Sequence, residues 1–222
     1  MPRNKKRSQK QPSRQSVRHV EAKTENQLDY LKAIEEGKVI FCSGPSGSGK
    51  SFIAAGMAAK MLEMGEVEQI IITRPLVCSG RDIGSLPGEL SEKIAPYLQP
   101  MEENLKFFLS RSNYGQYLNT GKIQYKPLEM MRGATFHNSV MILDEAQNCT
   151  VDQIKMFITR MGQESKVLIN GDSRQTDIRS HSGLEVVMDR LYDIKGVEVC
   201  ELTHDDIQRN GILGDILRAL ED

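Results

Sequence analysis

Tryptophan is missing altogether, and aromatic residues make up only 5% of the 222 positions. A platform for stacking unpaired nucleic-acid bases is therefore not evident. Cysteine is equally sparse. Cys42, Cys78, Cys149 and Cys200 stand far apart with no CxxC pair, which excludes a zinc-ribbon or disulfide framework and leaves small apolar residues suited to a reducing compartment. Long hydrophobic runs are absent too. The longest unbroken ones, such as those at residues 39–42 and 140–143, are short and far below the roughly 18 residues needed to cross a bilayer. The basic, polar N-terminus has no apolar stretch behind it and does not read as a secretory signal. These absences predict a soluble, cytoplasmic protein with no membrane partner.

Charge is present in both signs but unevenly placed. The net charge is -1, yet residues 1–23 hold eight of the 29 basic groups and one of the 30 acids, leaving a body near -8. This tail is rich in Ser, Gln and Lys/Arg and has no hydrophobic periodicity, so residues 1–24 are expected to be disordered in isolation. Such arms contact nucleic-acid phosphates or serve only solubility, and composition weighs the two equally. Residues 25–222 are long enough for one globular domain.

Within that domain, helical and strand patterns alternate, the signature of an α/β fold with a mainly parallel sheet flanked by helices. Helices are expected at 26–35, 50–64, 152–160, 183–191 and 212–220. Buried strands are expected at 39–43, 69–73, 122–125, 139–143, 166–170 and 197–202. A long loop over 75–87 leads into a helix over about 88–109, which Pro96 and Pro100 are expected to break.

The most specific signal is Gly44-Pro45-Ser46-Gly47-Ser48-Gly49-Lys50-Ser51. It lies between an apolar strand and a helix, where backbone N–H groups and the helix dipole converge on an anion. The glycines permit the close approach that a Cβ would block. Lys50 neutralises β/γ-phosphates in such a loop, and the Ser51 hydroxyl holds Mg²⁺. The expected ligands are therefore ATP and Mg²⁺. The run Val140-Met-Ile-Leu-Asp144-Glu145 delivers two carboxylates to the edge of the sheet that carries the loop. Asp144 would anchor the metal through its water shell, and Glu145 would orient or deprotonate the attacking water.

Two weaker signals accompany these. Residues 168–175 read as a buried strand ending in a polar loop, and Gln175 is placed to sense the γ-phosphate or its water. This stretch is similar to motif III of superfamily 1 helicases. Gln27 sits where that class places an adenine-reading glutamine, whose amide can pair with both N6 and N7.

Several further motifs follow in order: IIITRP (70–75), GSLPGEL (84–90), IAPYLQP (94–100), MRG (131–133), ILDEAQN (142–148), IKMFITRMG (154–162), GDSRQTD (171–177) and SGL (182–184). With GPSGSGKS, these resemble the PhoH-like ATPase family over about residues 25–220. The resemblance implies a RecA-like P-loop core, ATP hydrolysis, assembly into rings that are hexamers in the better-described members, and a role with RNA. The chain lacks the additional N-terminal region and the nuclease domain of longer members.

Superfamily 1 helicases complete their site with an arginine from a second RecA-like domain, and the 20 or so residues after the last expected strand do not accommodate one. A neighbouring subunit in a homo-oligomeric ring is expected to supply that charge. Arg209 matches the arginine of the family's C-terminal motif and is the first candidate, followed by Arg132 and Arg174. Arg74, Arg81, Arg132 and the tail are candidates to line a path for RNA or single-stranded DNA. The alternative is a nucleotide-operated assembly protein acting on a protein partner. No acceptor-site chemistry supports a kinase.

Overall fold

The computed structural model describes residues 18–75, 90–173 and 182–208. Its framework is one six-stranded sheet in the order β3-β2-β4-β5-β1-β6, with every described pairing parallel. The strands are β1 (Val39–Ser43), β2 (Gln69–Thr73), β3 (Ile123–Tyr125), β4 (Ser139–Leu143), β5 (Lys166–Gly171) and β6 (Val197–Glu201). All of β1 and β4 is buried, which is why these segments read as unbroken apolar runs rather than alternating ones.

Successive side chains nevertheless go to different cores. Ile40, Cys42, Ile70, Ile72, Val140, Ile142 and Leu168 join the core beneath α1 (Glu25–Glu36), α2 (Lys50–Met64) and α3 (Leu90–Asn119). Val39, Phe41, Ile71, Met141, Leu143, Val167 and Ile169 join the core beneath α4 (Val151–Ile158) and α5 (Gly183–Leu191). The period of two is thus visible in destination though not in polarity.

Local chemistry sets the helix ends. Thr24 caps α1 by accepting from the Gln27 N–H, and Thr150 and Gln153 form a reciprocal capping box on α4. Buried alanines at 54, 55, 58 and 59 let α2 pack closely.

Two expectations need adjustment. First, α3 runs through Pro96 and Pro100. The interruption comes at Ser110, where the backbone turns left-handed (φ 61°) and the Ser110 hydroxyl accepts from the Asn113 N–H, capping the segment that follows. Proline locks φ near the helical value and removes one donor, so it is compatible with helical φ; a left-handed residue is not. Second, residues 18–24 belong to the folded body. Val20 packs against the core, in the space that a Cβ on Gly56 would need, and the Lys23 N–H donates to Gln27 Oε1 (2.9 Å). The helix expected at 212–220 and, apart from Pro75, the loop expected over 75–87 lie outside the described residues.

Cys42 and Cys149 are buried free thiols, and Cys200 is half-buried. Burial pushes Cys149 up to about 12 and Cys200 to about 11, which keeps both protonated at neutral pH and fits their reading as small apolar residues. Among the described residues no helix is long and apolar enough to cross a membrane.

Candidate nucleotide-binding and hydrolysis site

Because every strand is parallel, β1, β4 and β5 end at the same edge, and the cleft opens there. Its volume is about 630 Å³. The lining includes Gly47, Lys50, Ser51, Asp144, Glu145 and Asp172.

The loop between β1 and α2 forms the floor. Gly44 adopts φ 154°, and a Cβ there would lie 2.5 Å from the Leu202 carbonyl, so no other residue fits without moving β6. Gly49, at φ 97°, is the residue from which α2 starts. The loop is tied to its neighbour strand by Gly44 N–H to Gly171 O (3.1 Å). Lys50 folds over the loop, its Nζ donating to Gly44 O (2.5 Å) and Pro45 O (2.9 Å).

The end of β4 forms the wall. The Ser51 hydroxyl donates to Asp144 Oδ1 at 2.7 Å, joining the first turn of α2 to the strand end across the intervening β5. Burial pushes the Asp144 carboxyl up, and the neighbouring Glu145 charge adds to it; the Ser51 bond, Arg74 and Lys50 pull the other way. A buried carboxylate held above its ordinary value gains from a nearby cation, and a hydroxyl and a carboxylate at one point are hard oxygen donors suited to Mg²⁺. Among the described residues no group of three or more His, Cys, Asp or Glu side chains forms a metal cage.

Glu145 follows in a left-handed conformation (φ 59°). Both of its carboxylate oxygens are engaged: Oε1 pairs with Arg74 (3.2 Å), and Oε2 accepts from Gln147 Nε2 (2.6 Å). Arg74 leaves the end of β2 and also donates to the Tyr97 carbonyl (3.1 Å). Gln147 is buried, and its Oε1 accepts from the Asp172 N–H at the end of β5 (3.0 Å).

A family model described as PhoH-like protein matches residues 19–221. The chain belongs to the PhoH family. It is 42% identical over 204 residues to a PhoH-like protein of Synechocystis sp., covering 91% of this chain and 62% of the relative. It is 40% identical over 202 residues to a PhoH-like protein of Mycobacterium tuberculosis (90% and 57%). Protein PhoH of Escherichia coli is 41% identical over 203 residues (89% and 57%). The chain thus spans about six-tenths of the length of these PhoH relatives. Among solved structures, the large terminase of a thermophilic bacteriophage superimposes with a TM-score of 0.56 at 12% identity, covering 87% of this chain and 49% of that one. The UvsW helicase from bacteriophage T4 gives 0.51 at 14% identity, covering 84% and 64%. Together with the sheet order, these likenesses show the fold: a parallel sheet flanked by helices, of RecA-like P-loop type.

Of the residues that sequence reasoning singled out in this PhoH chain, Ser46, Gly47, Gly49, Lys50, Ser51, Asp144, Glu145 and Gln27 all line the cleft. Gln27 is buried, with its carboxamide bonded to backbone groups on three sides. Arg132 stands elsewhere, on a separate groove of about 340 Å³ with Lys155 and Arg160. Arg81, Arg174, Gln175 and Arg209 lie outside the described residues. Sequence reasoning missed the pairing of Arg74 with Glu145 and the bridging role of Gln147. The DEAQ string contained Gln147, but only the approach of β5 gives its amide a second partner.

Proposed function

We propose that this chain is a Mg²⁺-dependent ATPase of PhoH type that works as a homo-oligomeric ring coupled to RNA or single-stranded DNA. The observation that carries the hydrolytic part is the 2.7 Å bond between Ser51 and Asp144, with Glu145 the next residue along the chain. It supports reading the loop as the phosphate binder, Ser51 and Asp144 as the metal-holding oxygens and Glu145 as the base. Lys50 and the loop N–H groups take the phosphates, and Ser51 and Asp144 hold the metal. The bound metal would neutralise charge on the β- and γ-oxygens. Glu145 orients the attacking water and accepts its proton at Oε1 or Oε2. Each oxygen keeps a lone pair for that proton beside its contact with Arg74 or Gln147.

The charge that develops on the γ-phosphate calls for an arginine, and Arg209 from a neighbouring subunit is the first candidate, with Gln175 sensing the γ-phosphate. A ring with head-to-tail interfaces would bring one subunit's arginine to the next subunit's cleft. Support for a nucleic-acid partner comes from the basic residues within 1–23 and from a fold shared with a helicase and a terminase. The body near -8 and the lack of tryptophan favour the other reading, a nucleotide-operated assembly protein with a protein partner.

One experiment separates them: phosphate release measured with and without RNA at several salt concentrations, beside a mass measurement of the assembly. RNA stimulation that fades with salt, in a ring, is the expected result. A monomer with full turnover overturns the trans arginine, and turnover blind to RNA and to single-stranded DNA gives the assembly reading the field.

A further inference from the structure

Asp206 is 1% exposed and lies some 180 residues along the chain from two of the side chains that meet it, Thr24 and Asn26. Its Oδ1 accepts from the Thr24 hydroxyl. Its Oδ2 accepts from Asn26 Nδ2 (2.9 Å), from the Thr203 N–H (2.6 Å) and from the Thr203 hydroxyl (3.2 Å). Burial alone would push this carboxyl up, but the bonds from Thr203, Thr24 and Asn26 outweigh it and hold it below the usual carboxylate range. The carboxylate therefore fastens the start of α1 to the segment that follows β6.

Both fastened segments then reach the phosphate loop. Gln27 Nε2 donates to the Ser48 carbonyl (2.9 Å) and to the Asp206 carbonyl (3.4 Å), while Gln27 Oε1 accepts from the Lys23 N–H (2.9 Å). From the other segment, the Gln208 N–H donates to the Gly47 carbonyl (3.2 Å). A Cβ on Gly49 would lie 3.3 Å from Gln27 Nε2, so the carboxamide rests directly on the loop. A carboxamide has two N–H hydrogens, and main-chain oxygens take both. Reading the N7 and N6 edge of adenine would require giving one of these up.

We propose that Asp206 is a positioning residue for the phosphate loop, acting through Gln27 and Gln208, and that this brace strengthens binding of a triphosphate chain whatever base it carries. The physical reason lies in the loop itself. A glycine-rich segment has many conformations available, and only those with converging N–H groups bind phosphate well. Fixing the Gly47 and Ser48 carbonyls from outside removes part of that ordering cost before ligand arrives. The inference assigns Gln27 to the loop rather than to the base, and it rests on the reading of the cleft as a nucleoside-triphosphate site.

The test is equilibrium binding of ATP, GTP and inorganic tripolyphosphate, each with Mg²⁺, to the full chain well below its melting temperature. Asp206→Asn and Gln27→Met are expected to weaken all three ligands by a common factor of about tenfold, leaving the ATP-to-GTP ratio unchanged. Asn26→Ala removes one of the four bonds to Asp206, keeps the rest of the fold, and is expected to weaken all three by about threefold. If Gln27→Met weakens ATP alone and spares tripolyphosphate, Gln27 reads the base and the proposal falls. If affinities are unchanged while the melting temperature drops, the network is only structural, and the proposal falls again. A wild-type chain that binds none of the three ligands overturns the nucleotide-site reading itself, a result distinct from either.

Discussion

Two turns at the same sheet edge reach left-handed backbone by opposite means. The turn after β1 uses glycine, at Gly44, Gly47 and Gly49, all with positive φ. The turn after β4 uses Glu145, a residue with a full side chain, at φ 59°. A non-glycine residue in this region costs about 1 kcal/mol or more. Glycine cannot replace Glu145 where a carboxylate is required, so the strain persists, with Arg74 and Gln147 gripping the side chain from two sides. The first turn thus leaves its left-handed positions bare of side chains, whereas the second holds a carboxylate in place.

Five substitutions, the last two compared as a pair, break or sharpen this contrast. Lys50→Ala removes the cation from the glycine turn and should lower phosphate release by about 10³-fold or more, because neither Arg74, paired with Glu145, nor Lys23 stands on the loop itself. Glu145→Gln keeps the shape of the second turn, the Gln147 contact and the left-handed backbone. Hydrolysis should fall by about 10²–10³-fold while nucleotide affinity stays within about twofold, measured by single turnover and by titration. Comparable loss of affinity would mean that Glu145 shapes the pocket instead of acting on water.

The third substitution, Gly49→Ala, adds a methyl group at φ 97°, against Gln27. It should cost about 1–2 kcal/mol in denaturant unfolding, and weaken nucleotide binding as well. The smallest effect comes from exchanging glycine into the other turn. Glu145→Gly and Glu145→Ala both lose the Arg74 and Gln147 contacts, but only Ala keeps the left-handed strain. The glycine variant should therefore be more stable than the alanine variant by about 1 kcal/mol, and equal stabilities would show that the turn is not strained.

Asp144 adds a pH dimension. Burial and the Glu145 charge raise its carboxyl in the folded state, so the folded protein holds this proton more tightly than the unfolded chain does. By linkage, its contribution to stability declines as pH rises from about 4 through the raised value and is unfavourable above it. Asp144→Asn removes that penalty, and the carboxamide oxygen that replaces the carboxylate can still accept from Ser51. The variant should melt about 2–4 °C higher at neutral pH without added metal, yet lose Mg²⁺-stimulated turnover.

Much of this architecture was legible in the sequence because it depends on neighbours in the chain. Buried parallel strands are apolar throughout, and β1, β2 and β4 stand at the expected residues. The phosphate loop carries its own spacing. What stayed hidden depends on segments that meet only after folding. Pro96 and Pro100 drew attention as breakers, whereas the break at Ser110 carries no comparable local mark. Arg74 read as a candidate for a nucleic-acid path, and only the adjacency of β2 and β4 puts it beside Glu145. Asp206 carries no local signal of its role. Its neighbours, Thr24 and Asn26, come from the opposite end of the chain.

Gly56 lies on α2, the helix that begins at the phosphate loop, and the side chain it lacks leaves room for Val20. The boundary suggested by charge, near residue 24, therefore does not coincide with the boundary of the working unit. Glu21 and Lys23, on the basic side of that line, form part of the cleft wall. A shortened chain begun at residue 25 would look tidier on paper, but would reach the bench with its nucleotide cleft open on one flank.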